Sequence, residues 1–191
     1  MPSNAFTQHL LALLEDADEL VDVHGQMRTG LPGRQWGLGA LNRAVVVMSV
    51  SAWEAYIEEV IIEAITAIRP AAGNALGNWP ALNASARSAI GRFNNPNVEN
   101  VRMLISHSIG LPDITASWYW RNCTVAHARE LLAEALSLRH QIAHGINPRP
   151  VVHSPYATRL PKFLQRLGSN TDAGIRKYLV EILGIANPWP L

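Results

Sequence analysis

Arg139-His140-Gln141-Ile142-Ala143-His144 places a permanent cation and two side chains that titrate near neutrality within six residues of one another. Histidine, with an ordinary pKa near ~6.5, takes or gives a proton at physiological pH. Arginine stays charged and presents a planar fork of donors that fits phosphate oxygens. Together they suit the metal-free cleavage of a phosphodiester beside a free hydroxyl. One group moves a proton to or from oxygen, and a fixed charge steadies the five-coordinate phosphorus. His140 and His144 are four apart and share a helix face, which also suits binding of a metal ion. No third ligand at convincing spacing and no Cys pair accompanies them, so the reading assigns no metal.

The elements that must position these residues read as helices throughout. Gly145 follows the motif and Pro148 and Pro150 come soon after, so the motif closes a helix that Thr124 opens. Arg139 and His144 are then about 140° apart around a regular helix, so convergence requires unwinding or a second copy of the helix. Ser3 is a candidate N-cap for a first helix. Phe6, Leu10, Leu13, Leu14, Ala17, Leu20, Val21 and His24 recur on one face of it, and Gly30-Leu31-Pro32-Gly33 breaks it. A long helix over 39–69, apolar nearly all round, is expected at the centre of a bundle. Residues 71–82 read as a loop. Asn83 is placed as the cap of a short helix to Phe93, and Pro96 as the opening of another to about Ser108. A Pro-rich connector over 147–161 is expected to lead to two short helices, over 161–167 and 172–183. No repeat or second-domain boundary is visible, so one domain over 1–191 is expected.

Four segments in order carry a family resemblance. Leu136-Ser137-Leu138-Arg139-His140-Gln141-Ile142-Ala143-His144-Gly145 resembles the R-x(4–6)-H motif of the HEPN superfamily, in particular its RiboL-PSP branch. His140 stands where that branch more often has Asn. Ser51-Ala52-Trp53-Glu54-Ala55-Tyr56-Ile57-Glu58-Glu59 is similar to its second-helix segment. The stretch from Asn95-Pro96-Asn97-Val98 to Gly110-Leu111-Pro112-Asp113-Ile114 is similar to its middle segment, and Leu183-Gly184-Ile185-Ala186-Asn187-Pro188-Trp189 to its ending. The resemblance implies an all-α helical bundle of the HEPN type, with a long central helix and short C-terminal helices. It also implies a homodimer whose motif helices face each other across a two-fold axis. The implied activity is a metal-independent endoribonuclease, toxin-like or a phage-defence effector, that leaves 2′,3′-cyclic phosphate ends. Arg139, His144 and His140 would be its catalytic residues, without a cofactor. RNA and an antitoxin or operon-encoded protein are the implied partners. The alternative is a non-catalytic helical module that binds RNA or protein.

Glu54, beside Trp53 in the most apolar part of the long helix, either orients a motif residue or is a solvated glutamate on a thin polar stripe. Trp118, Tyr119 and Trp120 either stack bases or anchor the core. Charge is segregated. Residues 1–27 hold five acids (Glu15, Asp16, Asp18, Glu19, Asp22) and no Lys or Arg, whereas 135–171 hold no acid. Arg149, Arg159, Lys162 and Arg166, in or beside the connector, are therefore candidate phosphate-backbone contacts expected to rim the motif cleft, with the acidic first helix away from it. The opposing reading is a solvated charged segment. A hydrophobic content of 48% against 16% charged residues excludes a disordered chain. The lone Cys123 excludes an internal disulfide framework and fits a reducing compartment. The apolar stretch from Ala44 to Trp53 is ten residues, half of the ~20 needed to span a bilayer, and no basic leader opens the chain. A cytoplasmic protein without membrane segments is expected.

Overall fold

The computed structural model describes residues 1–28, 37–69, 78–145 and 150–189. Its elements are α1 (Ala12–Met27), α2 (Leu38–Ile68), α3 (Trp79–Ile90), α4 (Val98–Ile109), α5 (Val125–His144) and α6 (Ser154–Glu181). π-helical turns over Ala5–Leu11 run directly into α1, and a 3₁₀ turn, Ile114–Ser117, precedes α5. Among the described residues there is no strand, so the all-α expectation holds. The expected break at Gly30–Gly33 and the candidate contact Arg149 lie outside the described residues.

α2 is the axis on which the other helices pack. Val45, Val46, Val50, Trp53, Tyr56, Ile57, Val60, Ile61 and Ala64 are fully buried along it. Each large side chain among them contributes about 1.5–3 kcal/mol relative to exposure. The valine run of α2, strand-like in composition, is helical because the same apolar period continues unbroken to Ile65. Polar tips of the buried aromatics then fix neighbouring segments. Trp53 Nε1 donates to the Pro96 carbonyl at 3.1 Å, and the Tyr56 hydroxyl to the Gly168 carbonyl at 3.1 Å. Trp118, buried and edge-on to Trp53, donates to Thr171 Oγ1 at 2.9 Å. It is a core anchor, while Tyr119 beside it is exposed.

The start of the chain is capped from three elements. Ser3 Oγ accepts from Phe6 N at 3.0 Å, as the sequence suggests. The Glu63 carboxylate on α2 accepts the amides of Asn4 and Ala5 at 3.0 and 2.9 Å. Buried Asp172 on α6 accepts the Ser3 amide and hydroxyl. Leu10, Leu14, Ala17 and His24 are buried on the expected face, although Leu13 is exposed.

Three boundaries differ from expectation. α3 begins at Trp79, not Asn83, with Pro80 in its first turn, where a missing N–H costs nothing. Trp79 is fixed by donating to the Ile65 carbonyl at 3.2 Å and by Arg69 over its ring. Asn97, rather than Pro96, caps α4, its side chain accepting from Asn100 N at 2.8 Å. The two short C-terminal helices are one 28-residue helix that passes through Pro161 and Gly168. Ala157, Leu160, Leu164, Leu167, Thr171, Ile175 and Leu179 form an unbroken buried stripe along it. Burying that stripe outweighs the ~3 kcal/mol that an interior proline costs. Gly168 is a place of close approach, since a Cβ there would run into Leu10 Cδ2. Gly168→Ala should therefore lower stability by about 1–3 kcal/mol despite alanine's better helix propensity, because Leu10 is fully buried and has nowhere to move. Denaturant unfolding checks this, and an unchanged or raised midpoint would refute it.

Candidate functional site

α5 presents the motif. Thr124 Oγ1 caps its start by accepting from His127 N at 3.2 Å, and Gly145, at φ 62°, closes its end in the left-handed conformation. Ala128, Leu132, Ala135 and Leu136 bury the inner face. Arg139 is half-buried, and His140 and His144 are exposed on the last turns.

All three line one open cleft of about 520 Å³, whose opposite wall is Asn94, Asn95 and Asn97 from the α3–α4 connector. Ala133, Leu136 and Ser137 of α5 complete the lining, and no Asp or Glu is among the lining residues. The His140 and His144 rings are 4.4 Å apart between centroids. Arg139 and His144 thus both border one cleft, despite the angle between them around the helix. The long Arg side chain leans inward while His144, at the helix end, reaches over the same opening.

Arg139 Nη2 donates to Glu54 Oε2 on α2 at 3.2 Å. The two side chains keep 25% and 18% exposure, so the pair is shielded from water on most sides. Of the two readings of Glu54, the contact with the motif is the one present. Its carboxyl is raised from the ordinary value of 4.5, first by burial, with the Arg139 charge opposing. The carboxyl of Glu58, one turn further along α2, is raised by burial and by its neighbours Glu54 and Glu59.

The basic segment does not line the cleft of one copy. Arg159, Lys162 and Arg166 are exposed on α6, and none lines the cleft. Arg159 Nε donates to the Pro155 carbonyl of its own helix at 2.9 Å. Lys162 lies close enough to Asp18 to pull that carboxyl down, against the larger upward effect of burial. α6 packs against the acidic α1. Among the described residues no cluster of three His, Cys, Asp or Glu could hold a metal ion. Asn95 and Asn97 belong to the middle segment of the family resemblance, which assigns them no role at the motif. The signal for the asparagine wall is three Asn within Asn94-Asn95-Pro96-Asn97, a density beyond what capping one helix requires.

Glu54 yields a pH prediction. Because its folded-state pKa is raised, the native state holds the proton more tightly than the unfolded chain. The stability this gives is present below the ordinary value of 4.5 and is lost as pH rises through the raised value. Glu54→Gln, a stand-in for the protonated acid, should gain in melting temperature on the parent as pH rises through that window. A difference that is flat or narrows with pH would refute it.

The model of the RiboL-PSP-HEPN family matches residues 11–167. No curated protein and no solved structure matches the chain. No helix among the described residues is long and apolar enough to cross a membrane. The matched span takes in the whole of α2 to α5, with both walls of the cleft, and the chain therefore belongs to the RiboL-PSP-HEPN family.

Proposed function

We propose that the protein is a metal-independent endoribonuclease of the HEPN type, working in the cytoplasm as a toxin-like or phage-defence effector. The observation that carries this reading is the single cleft lined by Arg139, His140 and His144 with no acid among its lining residues. Such a cleft favours a phosphodiester, whose charge a carboxylate lining would repel. The ribose 2′-hydroxyl attacks the adjacent phosphorus as its proton passes to an imidazole. The bond to the 5′-oxygen breaks as that oxygen receives a proton, leaving a 2′,3′-cyclic phosphate and a 5′-hydroxyl. His144 serves as the base or the acid, and His140 assists. Arg139, oriented by Glu54, holds the non-bridging oxygens where negative charge develops.

A homodimer completes this reading. The outer face of α5, with Ala133, Ser137, His140 and His144, is open to solvent in one copy. Two copies facing across a two-fold axis would bring two sets of Arg139 and His144 together and supply both an acid and a base. A stable interface of this kind buries on the order of 1,600 Å². Arg159, Lys162 and Arg166 are then candidates for binding RNA outside the cleft. Light scattering at micromolar concentration should give twice the monomer mass, and a monomer would remove the dimeric site.

Purified protein should cut RNA in excess EDTA and leave cyclic-phosphate ends. Arg139→Ala and His144→Ala should each slow cutting by ~10²-fold or more. Unchanged cleavage by the His144 variant would assign the activity elsewhere. Binding without cutting would favour the non-catalytic module, a reading to which the exposure of both imidazoles gives some support.

A further inference from the structure

Arg69, Arg87 and Arg92 are the charged residues between Ala64 and Val98, a stretch that contains no Asp or Glu. Arg69 is engaged by Trp79, over whose ring it lies at 5.1 Å. Arg87, on the last turn of α3, and Arg92, just beyond its end, are exposed. Each guanidinium is nevertheless held along one edge by its own segment. Arg87 Nε donates to Asn83 Oδ1 at 3.2 Å. Arg92 Nε donates to the Ser88 carbonyl at 3.2 Å, and its Nη2 to Ser88 Oγ at 2.6 Å. Among the described residues neither forms an ion pair. The next acid along the chain, Glu99, is taken by Arg102 at 2.6 Å. A cation at a helix C-terminus is favourable in itself, and the contact of Arg92 with the Ser88 carbonyl is of that kind. That accounts for one cation here, not for two pre-oriented forks in a stretch without an acid.

Their place in the chain gives them a use. Arg92 stands two residues before Asn94, which lines the motif cleft, so the two Cα atoms are at most ~7.6 Å apart. We propose that Arg92 and Arg87 extend the phosphate contacts of the cleft onto α3, so that an RNA strand whose scissile phosphate meets Arg139 continues along the end of this helix. This rests on the nuclease reading of the cleft and adds the path of the substrate beyond the cut. A guanidinium already held at one edge gives up less freedom on meeting a phosphate, and its open edge still offers paired donors. An acidic protein segment could meet the same forks. Continuity with a cleft whose lining residues include no Asp or Glu favours the nucleic acid. Contacts of this kind hold the backbone and read no base, so the strand is bound whatever its sequence.

Binding of fluorescent single-stranded RNA to the full-length His144→Ala protein, measured between about 0.05 and 0.2 M salt, tests this. Each phosphate contact on a single strand contributes ~0.7 to the slope of log affinity against log salt, so Arg87→Gln with Arg92→Gln should reduce the slope by ~1.4. At about 0.1 M salt the pair of substitutions should weaken binding ~10-fold, equally for oligo(A), oligo(C) and oligo(U). Arg92→Lys, which keeps the charge and loses the fork, should keep the slope and weaken binding by a smaller factor. Both side chains are exposed, so the melting temperature should stay at that of the parent. An unchanged slope in the double variant, a loss confined to one base, no RNA binding by the parent, or tighter binding of oligoglutamate than of RNA would each overturn the proposal. Cutting by the unsubstituted protein with an unchanged slope in the double variant removes the α3 contacts and keeps the nuclease. A reduced slope without any cutting keeps the contacts and removes the nuclease.

Discussion

Two consecutive residues of α2 hold both walls of the cleft. Trp53, fully buried, donates to the Pro96 carbonyl and so fixes the asparagine connector. Glu54, next along the helix and therefore turned about 100° away, reaches Arg139 on α5. The cleft's width is thus set by one rigid turn of the central helix, not by the connector and α5 finding each other. α2 supplies that rigidity because its inner face is buried from Val45 to Ile65, and close-packed interiors leave little room for such a face to shift. The helix that stabilises the bundle most is therefore also the one that sets the site.

Glu54 carries a cost that its neighbours explain. A carboxylate with 18% exposure loses hydration, which is why its carboxyl is raised even beside a guanidinium. An apolar residue there would spare that cost, but it would leave Arg139 half-buried without a counter-charge, and an unpaired cation at such depth is more damaging than the pair. The carboxylate and the guanidinium therefore depend on each other, and neither is easily replaced alone.

Much of this was legible in the sequence because it rests on local chemistry. The caps at Ser3 and Thr124 and the stop at Gly145 depend on side chains within a few residues of each other, and all three are where the sequence puts them. The length of α2 follows from its apolar period. What the sequence misplaced depends on distant packing. The sequence suggests two helices, over 161–167 and 172–183, but the stripe from Ala157 to Leu179 finds its partners on α1 and α2, which no local rule reports. Trp79 starts α3 early because Ile65 offers it a carbonyl. The basic run over 159–166 looked like a rim for the motif, yet α6 packs against the acidic α1, and the Lys162 charge acts on the Asp18 carboxyl.

The consequence for the cleft is that its positive character is local. With Arg159, Lys162 and Arg166 elsewhere, the fixed cation among the described lining residues is Arg139. Glu54 takes a hydrogen bond from only one guanidinium nitrogen, Nη2. The remaining N–H groups of the fork stay available, and a guanidinium held at one corner has lost much of the freedom it would otherwise give up on meeting a ligand. The ion pair thus lowers the net charge at the cleft while fixing the direction of the donors. For a group that must meet oxygens in one geometry, fixed direction is worth more than unneutralised charge, because long-range attraction can be supplied by any exposed basic residue and orientation cannot.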